Sequence, residues 1–418
     1  MEKIIIEGGI PLEGEVSVGV AKNSILPLMA AAILSEGEST FADVPDLMDV
    51  RVMGSILGEL GAGVETGGGL LSIDPAAMDG WVAEYELVKK MRASVLALGP
   101  LTARFGRARV SLPGGCSIGE RPIDQHLKGL ESMGARIKIE GGYVEAAAKK
   151  LKGAVVPLDM PTVTGTENIM LAAVLAEGQT VISGAACEPE VAELADALNL
   201  MGANITGGGT DIIRIKGVSS LSPLKNYRAI PDRIEAGTLM TAVAATGGNA
   251  EIKRCRFEHL GALAGKLMRA GAEVSETPSG VRVKADGRVE CADIATSPYP
   301  GFPTDMQAQF MALMCSGRGV AVVTENIFPQ RFMHVAEMKR MGADIKLTGN
   351  TAVVRGVETL KGAQTMAGDL RAGAALAVAG AAARGRTEIS RVYHMDRGYE
   401  RLDKKLEALG ARIWREKQ

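Results

Sequence analysis

One phrase recurs six times along the chain. It reads "LGAGVE" at 60–65, "MGARIKI" at 133–139, "MGANI" at 201–205, "AGAEV" at 270–274, "MGADIKL" at 341–347 and "LGARIW" at 409–414. Its glycines are Gly61, Gly134, Gly202, Gly271, Gly342 and Gly410, separated by 73, 68, 69, 71 and 68 residues. Each copy ends an amphipathic segment and opens an alternating one, the pattern of a helix stopped by glycine and followed by a strand. A second phrase keeps the same period: an alanine-rich apolar helix, a glycine, then a β-like run. Its glycines are Gly37, Gly106, Gly178, Gly247, Gly319 and Gly385, separated by 69, 72, 69, 72 and 66 residues. The chain therefore reads as six α+β units of about 70 residues, each with two helices and several strands.

One such unit has a thin core, so units must cluster. Three plus three is the natural grouping for two domains, which also suits a length of 418 residues. A ring of six units is the structural alternative.

Charge recurs with the repeats. Fourteen residues before each second glycine stand Asn23, Arg92, Thr164, Arg233, Asp305 and Arg371, each opening a mostly apolar helix. Lys22 precedes Asn23, and Asp369 lies two residues before Arg371. Asp, Thr and Asn suit a helix start, so Asp305 and Thr164 read as caps. Asn23 or Ser24 would cap the first helix, with Pro27 in its first turn. Capping does not account for Arg92, Arg233 and Arg371, because a cation there opposes the helix macrodipole. Free backbone N–H groups beside a cation make an anion site, and that is the expectation for these helix ends. The other helix of two units adds Arg121 and Arg397, each 13 residues before its glycine, Gly134 or Gly410.

Composition removes several classes. A net charge of −2 suggests neither a nucleic-acid stripe nor an acidic tail, and 4% aromatic residues provide no base-stacking platform. Five scattered cysteines without C-x-x-C, and four histidines without ligand spacing, predict no disulfide framework and no metal site. The apolar run "ILPLMAAAIL" is about half the length a membrane helix needs. "KIIIEGG" is too short for a signal-peptide core. The expectation is a soluble, cytoplasmic protein. One loop stands out, "SLPGGCSIGERPIDQH" at 111–126. Read alone, its Cys116 is either a nucleophile or proton donor, or an ordinary cysteine beside a turn.

Eight stretches resolve this by resemblance. "AKNSILP" (21–27), "LVKKMRAS" (87–94), "LPGGCSIGERPID" (112–124), "PDRIEAGT" (231–238), "FPTDMQAQF" (302–310), "ENIFPQRFMHV" (325–335), "DLRAGAAL" (369–376) and "DRGYERL" (396–402) resemble the UDP-N-acetylglucosamine enolpyruvyl transferases that open peptidoglycan synthesis. The resemblance runs from "IIIEGG" to "LGARIW". It implies an inside-out α/β barrel in two domains, each of three βαβαββ units with helices inside and sheets outside. One domain would span about 22–229 and the other about 1–21 plus 230–418, with the active site in the cleft. It implies transfer of the enolpyruvyl group of phosphoenolpyruvate to the 3′-hydroxyl of UDP-N-acetylglucosamine, releasing phosphate by addition and elimination. No metal, organic cofactor, nucleic acid, membrane insertion or obligate protein partner is implied.

The resemblance also assigns roles. Lys22, Arg121 and Arg397 match the ligands of phosphoenolpyruvate, with Arg371 a further candidate near its carboxylate. Asn23 would donate to the tetrahedral intermediate, where charge and geometry change most. Cys116 matches the proton donor, which also forms a thioether adduct with phosphoenolpyruvate and is alkylated by fosfomycin. A thiol near arginines can shift between acid and thiolate near neutral pH. Asp305 matches the residue beside the 3′-hydroxyl and is the expected base. Arg92, Arg121, Pro122, Ile123, Asp124, Gln125, Met160, Pro161, Thr162, Val163, Asp305 and Ile327 match the nucleotide-sugar positions. Met160 stands where other members carry lysine, and Thr164 where glycine is common. Gly114, Gly115 and Gly119 would give the Cys116 loop backbone freedom to close. The nearest rival is the 3-phosphoshikimate 1-carboxyvinyltransferase, with the same fold and donor. A non-catalytic anion-binding scaffold would keep the cations but could lose Cys116, Asp305 or Arg397, and all three are present.

Overall fold

The computed structural model describes residues 2–112 and 123–417. All six phrase glycines lie in the left-handed region, with φ from 89° at Gly134 and Gly410 to 104° at Gly202. At each, the residue after glycine donates its N–H to the carbonyl five residues back: Ala62 to Leu57, Ala135 to Leu130, Ala203 to Leu198, Ala272 to Leu267, Ala343 to Met338 and Ala411 to Leu406. This is the Schellman closure, which satisfies the last carbonyls of a helix and needs a residue tolerant of positive φ. The second glycine set follows suit at five positions, from Gly247 at 67° to Gly319 at 97°. Gly37 departs, because its helix ends in the 3₁₀ turn Ala32–Leu34 and the Ser35 hydroxyl bonds to the carbonyls of Ala32 and Gly37.

Each repeat follows one course. In the third, the edge strand Val155–Pro157 leads to the inner helix Val163–Ala173, the strand Gln179–Ser183, the outer helix Pro189–Leu200, and the hairpin strands Asn204–Thr206 and Ile212–Lys216. The edge strand pairs in parallel with the strand after the inner helix, and the rest of the sheet is antiparallel. Five sheets have four strands in this arrangement. The remaining sheet has three, and parallel bridges from Ser35 to Leu221 and from Phe41 to Tyr227 fill its edge position. The fold is thus six βαβαββ units, as the resemblance implied.

Two repeats take their missing strand from the beginning of the chain. Glu2–Gly8 lies antiparallel between Gly385–Ser390 and Arg412–Lys417, with Ile4 opposite Ile389 and Arg415. Glu13–Ser17 lies parallel to Asn249–Lys253, with Glu15 opposite Glu251. The chain accordingly forms two compact units, one holding everything through Gly19 and from Pro231 onward, the other running between Val20 and Ile230.

The inner helices are mostly apolar and largely enclosed, as such helices must be. Ile234 to Ala244, all of Gln307–Cys315, and Arg371 to Ala381 are buried in one core. Ser24 to Ala31 and Gly165 to Ala173 are buried in the other. The outer helices show one buried face only, as in Gly261–Arg269, where Leu263, Ala264 and Leu267 are inward. Among the described residues, no helix is long and apolar enough to cross a membrane.

Candidate active site

The helix starts are not capped as expected from the sequence. Thr164 is not a cap: Thr162 caps Val163–Ala173, its hydroxyl accepting from Gly165 N at 3.3 Å. Asp305 lies inside the 3₁₀ turn Thr304–Met306, where Pro303 holds the N-cap position and no side chain caps. Neither Asn23 nor Ser24 caps the first helix, Lys22–Ala31, which begins after Ala21; Pro27 is its sixth residue, beyond the first turn.

The expected open N–H groups beside Arg233 and Arg371 are also absent. Asp232 accepts from the N–H groups of Ile234 (2.8 Å) and Glu235 (3.0 Å). Asp369 accepts from those of Arg371 (2.7 Å) and Ala372 (3.0 Å). A capping carboxylate one or two residues ahead satisfies the helix end and offsets the unfavourable cation. These two helix ends are therefore capped rather than open to an anion.

Arg371 finds its anion elsewhere. Its Nη2 lies 2.8 Å from Asp305 Oδ2, while Arg331 Nη1 lies 2.7 Å from Asp305 Oδ1. Burial opposes the charge on Asp305, but Arg371 and Arg331 hold its carboxyl well below the usual carboxylate range. Arg371 is 2% exposed and packs over the Tyr399 ring at 5.2 Å. Burial works against its charge too, and Asp305, Tyr399 and Asp232 keep it protonated. The Tyr399 hydroxyl is 2.8 Å from Thr238 Oγ1 and accepts from Gln309 Nε2 at 3.1 Å. Gln309 Nε2 in turn donates to the Asp305 carbonyl at 2.9 Å.

Glu325 braces this corner from below. It is fully buried and accepts from Thr296 Oγ1 (2.8 Å), Thr304 Oγ1 (2.9 Å), and the N–H groups of Ile327 and Phe328 (2.9 Å each). Thr304 Oγ1 also accepts from Arg331 Nη1 at 3.0 Å. One carboxylate thus fixes the Ile327 turn and the residue before Asp305. Sequence reasoning did not single out Glu325 or Arg331, although both lie within "ENIFPQRFMHV".

The other unit holds all but one of the remaining described candidates. Lys22 opens its helix with Nζ 3.2 Å from Asp49 Oδ2, and Asn23 beside it is half-buried. Arg92 opens the 3₁₀ turn Arg92–Ala97. Ile123 immediately precedes the helix Asp124–Ser132. Gln125 is buried and donates through Nε2 to Asp124 Oδ2 and Asp159 Oδ2, at 2.9 Å each, while its Oε1 accepts from Asp159 N at 3.0 Å. The Lys128 ammonium, 2.6 Å away, and then Gln125 hold the Asp159 carboxyl below its ordinary value. Met160 and Pro161 are exposed, and Val163 is the first residue after the Thr162 cap. In the first unit, Arg397 ends the 3₁₀ turn Val392–Arg397, half-buried. Cys116, Arg121 and Pro122 lie outside the described residues, as do Gly114, Gly115 and Gly119.

Residues 6–406 match the family described as EPSP synthase (3-phosphoshikimate 1-carboxyvinyltransferase). The chain is 57% identical to a UDP-N-acetylglucosamine 1-carboxyvinyltransferase of Desulforapulum autotrophicum, over 100% of both chains. It is 56% identical to that of Trichlorobacter lovleyi over 99% of both, and 55% identical to that of Myxococcus xanthus over 100% of both. In fold it is similar to the enolpyruvyl transferase NikO from Streptomyces tendae, with a TM-score of 0.89, 24% identity and 99% of both chains covered. An EPSP synthase from Acinetobacter baumannii gives 0.76 at 18% identity, with 100% of both covered. The six-repeat fold and the end-to-end identity lead to one conclusion: the chain belongs to the UDP-N-acetylglucosamine 1-carboxyvinyltransferases, within the EPSP synthase family of enolpyruvyl transferases.

Proposed function

We propose that the protein moves the enolpyruvyl group of phosphoenolpyruvate onto the 3′-hydroxyl of UDP-N-acetylglucosamine, releasing phosphate. The observation that carries this reading is the 57% identity, over both full lengths, to an enzyme of that name. The reaction is the first committed step of peptidoglycan synthesis, and its place is the cytoplasm.

In the addition step, the sugar oxygen bonds to C2 of phosphoenolpyruvate, the hydroxyl proton leaves, and a proton arrives at C3. In the elimination step, the C2–O bond to phosphate breaks and C3 gives up a proton. Lys22, Arg121 and Arg397 hold the phosphate-bearing substrate, and Arg371 stands near its carboxylate. Several cations are needed because the substrate carries up to three negative charges. Asn23 donates to the tetrahedral intermediate. Cys116 supplies the proton to C3 and forms the thioether adduct.

Asp305 takes the hydroxyl proton. Its two arginine partners support an ionised carboxylate through the neutral range. A carboxylate so held is a weak base. It therefore orients the hydroxyl first and accepts the proton late, once bonding to C2 has acidified it. Arg92, Arg121, Pro122, Ile123, Asp124, Gln125, Met160, Pro161, Thr162, Val163 and Ile327 hold the nucleotide sugar. The exposed Met160 offers no charge there, so backbone groups carry that contact.

The test is phosphate release from phosphoenolpyruvate with each of two acceptors, UDP-N-acetylglucosamine and shikimate 3-phosphate. Release only with the shikimate compound overturns the reading. Cys116→Ala should abolish turnover near neutral pH while leaving the circular dichroism spectrum unchanged, and full activity in that variant would refute the donor role.

A further inference from the structure

Three stretches of the unit between Val20 and Ile230 carry residues assigned to the nucleotide sugar. They are the turn opened by Arg92, the start of the helix Asp124–Ser132, and 160–163 leading into the helix Val163–Ala173. One buried pair, His126 and Asn168, ties all three together. Asn168 is 1% exposed and uses every group of its amide. Its Oδ1 accepts from Gly99 N at 2.6 Å, and its Nδ2 donates to the Val95 carbonyl at 3.0 Å and meets His126 Nδ1 at 2.9 Å.

Those bonds determine the histidine tautomer. A peptide N–H only donates and a carbonyl only accepts, so the Asn168 amide has one possible orientation. His126 Nδ1 must then accept, and the ring proton sits on Nε2. That nitrogen lies 3.3 Å from Thr164 Oγ1 and donates to it. Burial first, and then the Arg92 charge, push the His126 pKa down to about 4, so the ring is neutral near pH 7. The joint is close-packed: a Cβ on Gly99 would stand 2.3 Å from both the carbonyl oxygen and Oδ1 of Asn168.

Thr164 is half-buried, in the first turn of its helix and directly after the nucleotide-sugar segment. Its oxygen already accepts from His126, so its own hydrogen is left to donate. We propose that His126 and Asn168 position the three nucleotide-sugar stretches as one surface, and that the Thr164 hydroxyl, oriented by His126, donates to a diphosphate or carbonyl oxygen of the UDP-sugar. This rests on the function proposed above. His126 and Asn168 act through other residues and are positioning residues. Thr164 is a binding residue, offering a donor on a surface where Met160 has no charge.

Steady-state phosphate release by the full chain tests this, with Michaelis constants measured for each substrate. Thr164→Val keeps the shape and removes the hydroxyl. His126→Asn keeps an acceptor toward Asn168 and removes the link to Thr164. Each should raise KM for UDP-N-acetylglucosamine about three- to tenfold, the worth of one hydrogen bond. KM for phosphoenolpyruvate and kcat should stay within about twofold. The double variant should be no worse than either single one, because both remove the same link. Thr164→Ser should restore the parent value. An unchanged KM in Thr164→Val, equal rises for both substrates, or additive effects in the double variant overturns the proposal. Thr164→Val alters a half-buried position, so the test stands even if His126→Asn folds poorly. A parent protein that fails to turn over UDP-N-acetylglucosamine at all would sink the functional reading itself, an outcome distinct from turnover with an unaltered KM.

Discussion

Replacing Asp305 by asparagine should destabilise its unit as well as impair turnover, although removing a charged catalytic group is often neutral or stabilising for a fold. The reason lies in its partners. The side chains of Arg371 and Arg331 are 3% and 6% exposed, and both direct a guanidinium nitrogen at Asp305 within 2.8 Å. Asparagine keeps one acceptor oxygen and loses the charge, leaving two buried cations without their counterion. Breaking a buried pair in this way costs about 3–5 kcal/mol. The Asp305 side chain is itself 26% exposed, so water reaches the corner and the lower end, about 3 kcal/mol, is expected. Urea unfolding would read it. Trp414 lies in the unit with Asp305 and Trp81 in the other, so a Trp81→Phe background lets tryptophan fluorescence report this unit alone. Arg371→Met in the same background should be destabilising by itself, yet should relieve part of the Asp305→Asn defect, because removing both partners costs less than stranding one. A coupling of at least about 1 kcal/mol is expected from the double-mutant cycle. If Asp305→Asn lies within about 0.5 kcal/mol of the parent, or if the two changes simply add, the pairing argument is wrong.

Further outcomes follow from other corners of the molecule. Glu325→Ala strands the N–H groups of Ile327 and Phe328 and should cost about 3–4 kcal/mol in urea unfolding, whereas Glu325→Gln keeps an acceptor for them and should cost about 1; equal losses would refute the brace. Asp369→Ala removes an acceptor from two N–H groups and should lower stability by about 1–2 kcal/mol, with Asp369→Ser recovering most of it on the same curve. Acid should loosen both units. His126 and His334 are each held neutral, with pKa values pushed down to about 4 mainly by burial. A histidine depressed in the folded state contributes stability above its unfolded value of about 6.5, and that stability drains away as pH falls toward 4. For His126 this amounts to about 3 kcal/mol across the interval. Melting temperatures constant from pH 7 to 4.5 would contradict it.

The repeat pattern was readable because it rests on a backbone necessity. A Schellman closure needs positive φ, and glycine supplies it at Gly61 and its five counterparts. Spacing also located the inner-helix starts. It could not say which oxygen reaches which N–H, so Thr162 caps in place of Thr164, Asp232 and Asp369 cap the helices of Arg233 and Arg371, and Asn23 and Asp305 do not cap theirs. Local rules see a residue's neighbours along the chain. Asp305 meets Arg371 across 66 residues, and Asn168 reaches Val95 across 73. Such pairings exist only once repeats stack, which is why Arg331, Glu325, His126 and Asn168 escaped a reading by pattern. The strand exchange escaped it too, since nothing in "KIIIEGG" announces a partner near the other end of the sequence.

That exchange sets an order of events on the ribosome. The stretch from Val20 to Ile230 carries its own core and can close as soon as it emerges. Glu2–Gly8 emerges well before its neighbours Gly385–Ser390 and Arg412–Lys417, which lie far downstream in the sequence. At about 5–20 residues per second, the opening strand waits some 20–80 s for both edges to be covered. During that time it is an unpaired apolar strand, the kind of segment that recruits strangers. The strand Glu2–Gly8 is therefore where a nascent chain of this protein most needs a chaperone, and a chain stopped before Gly385 would leave it uncovered for good.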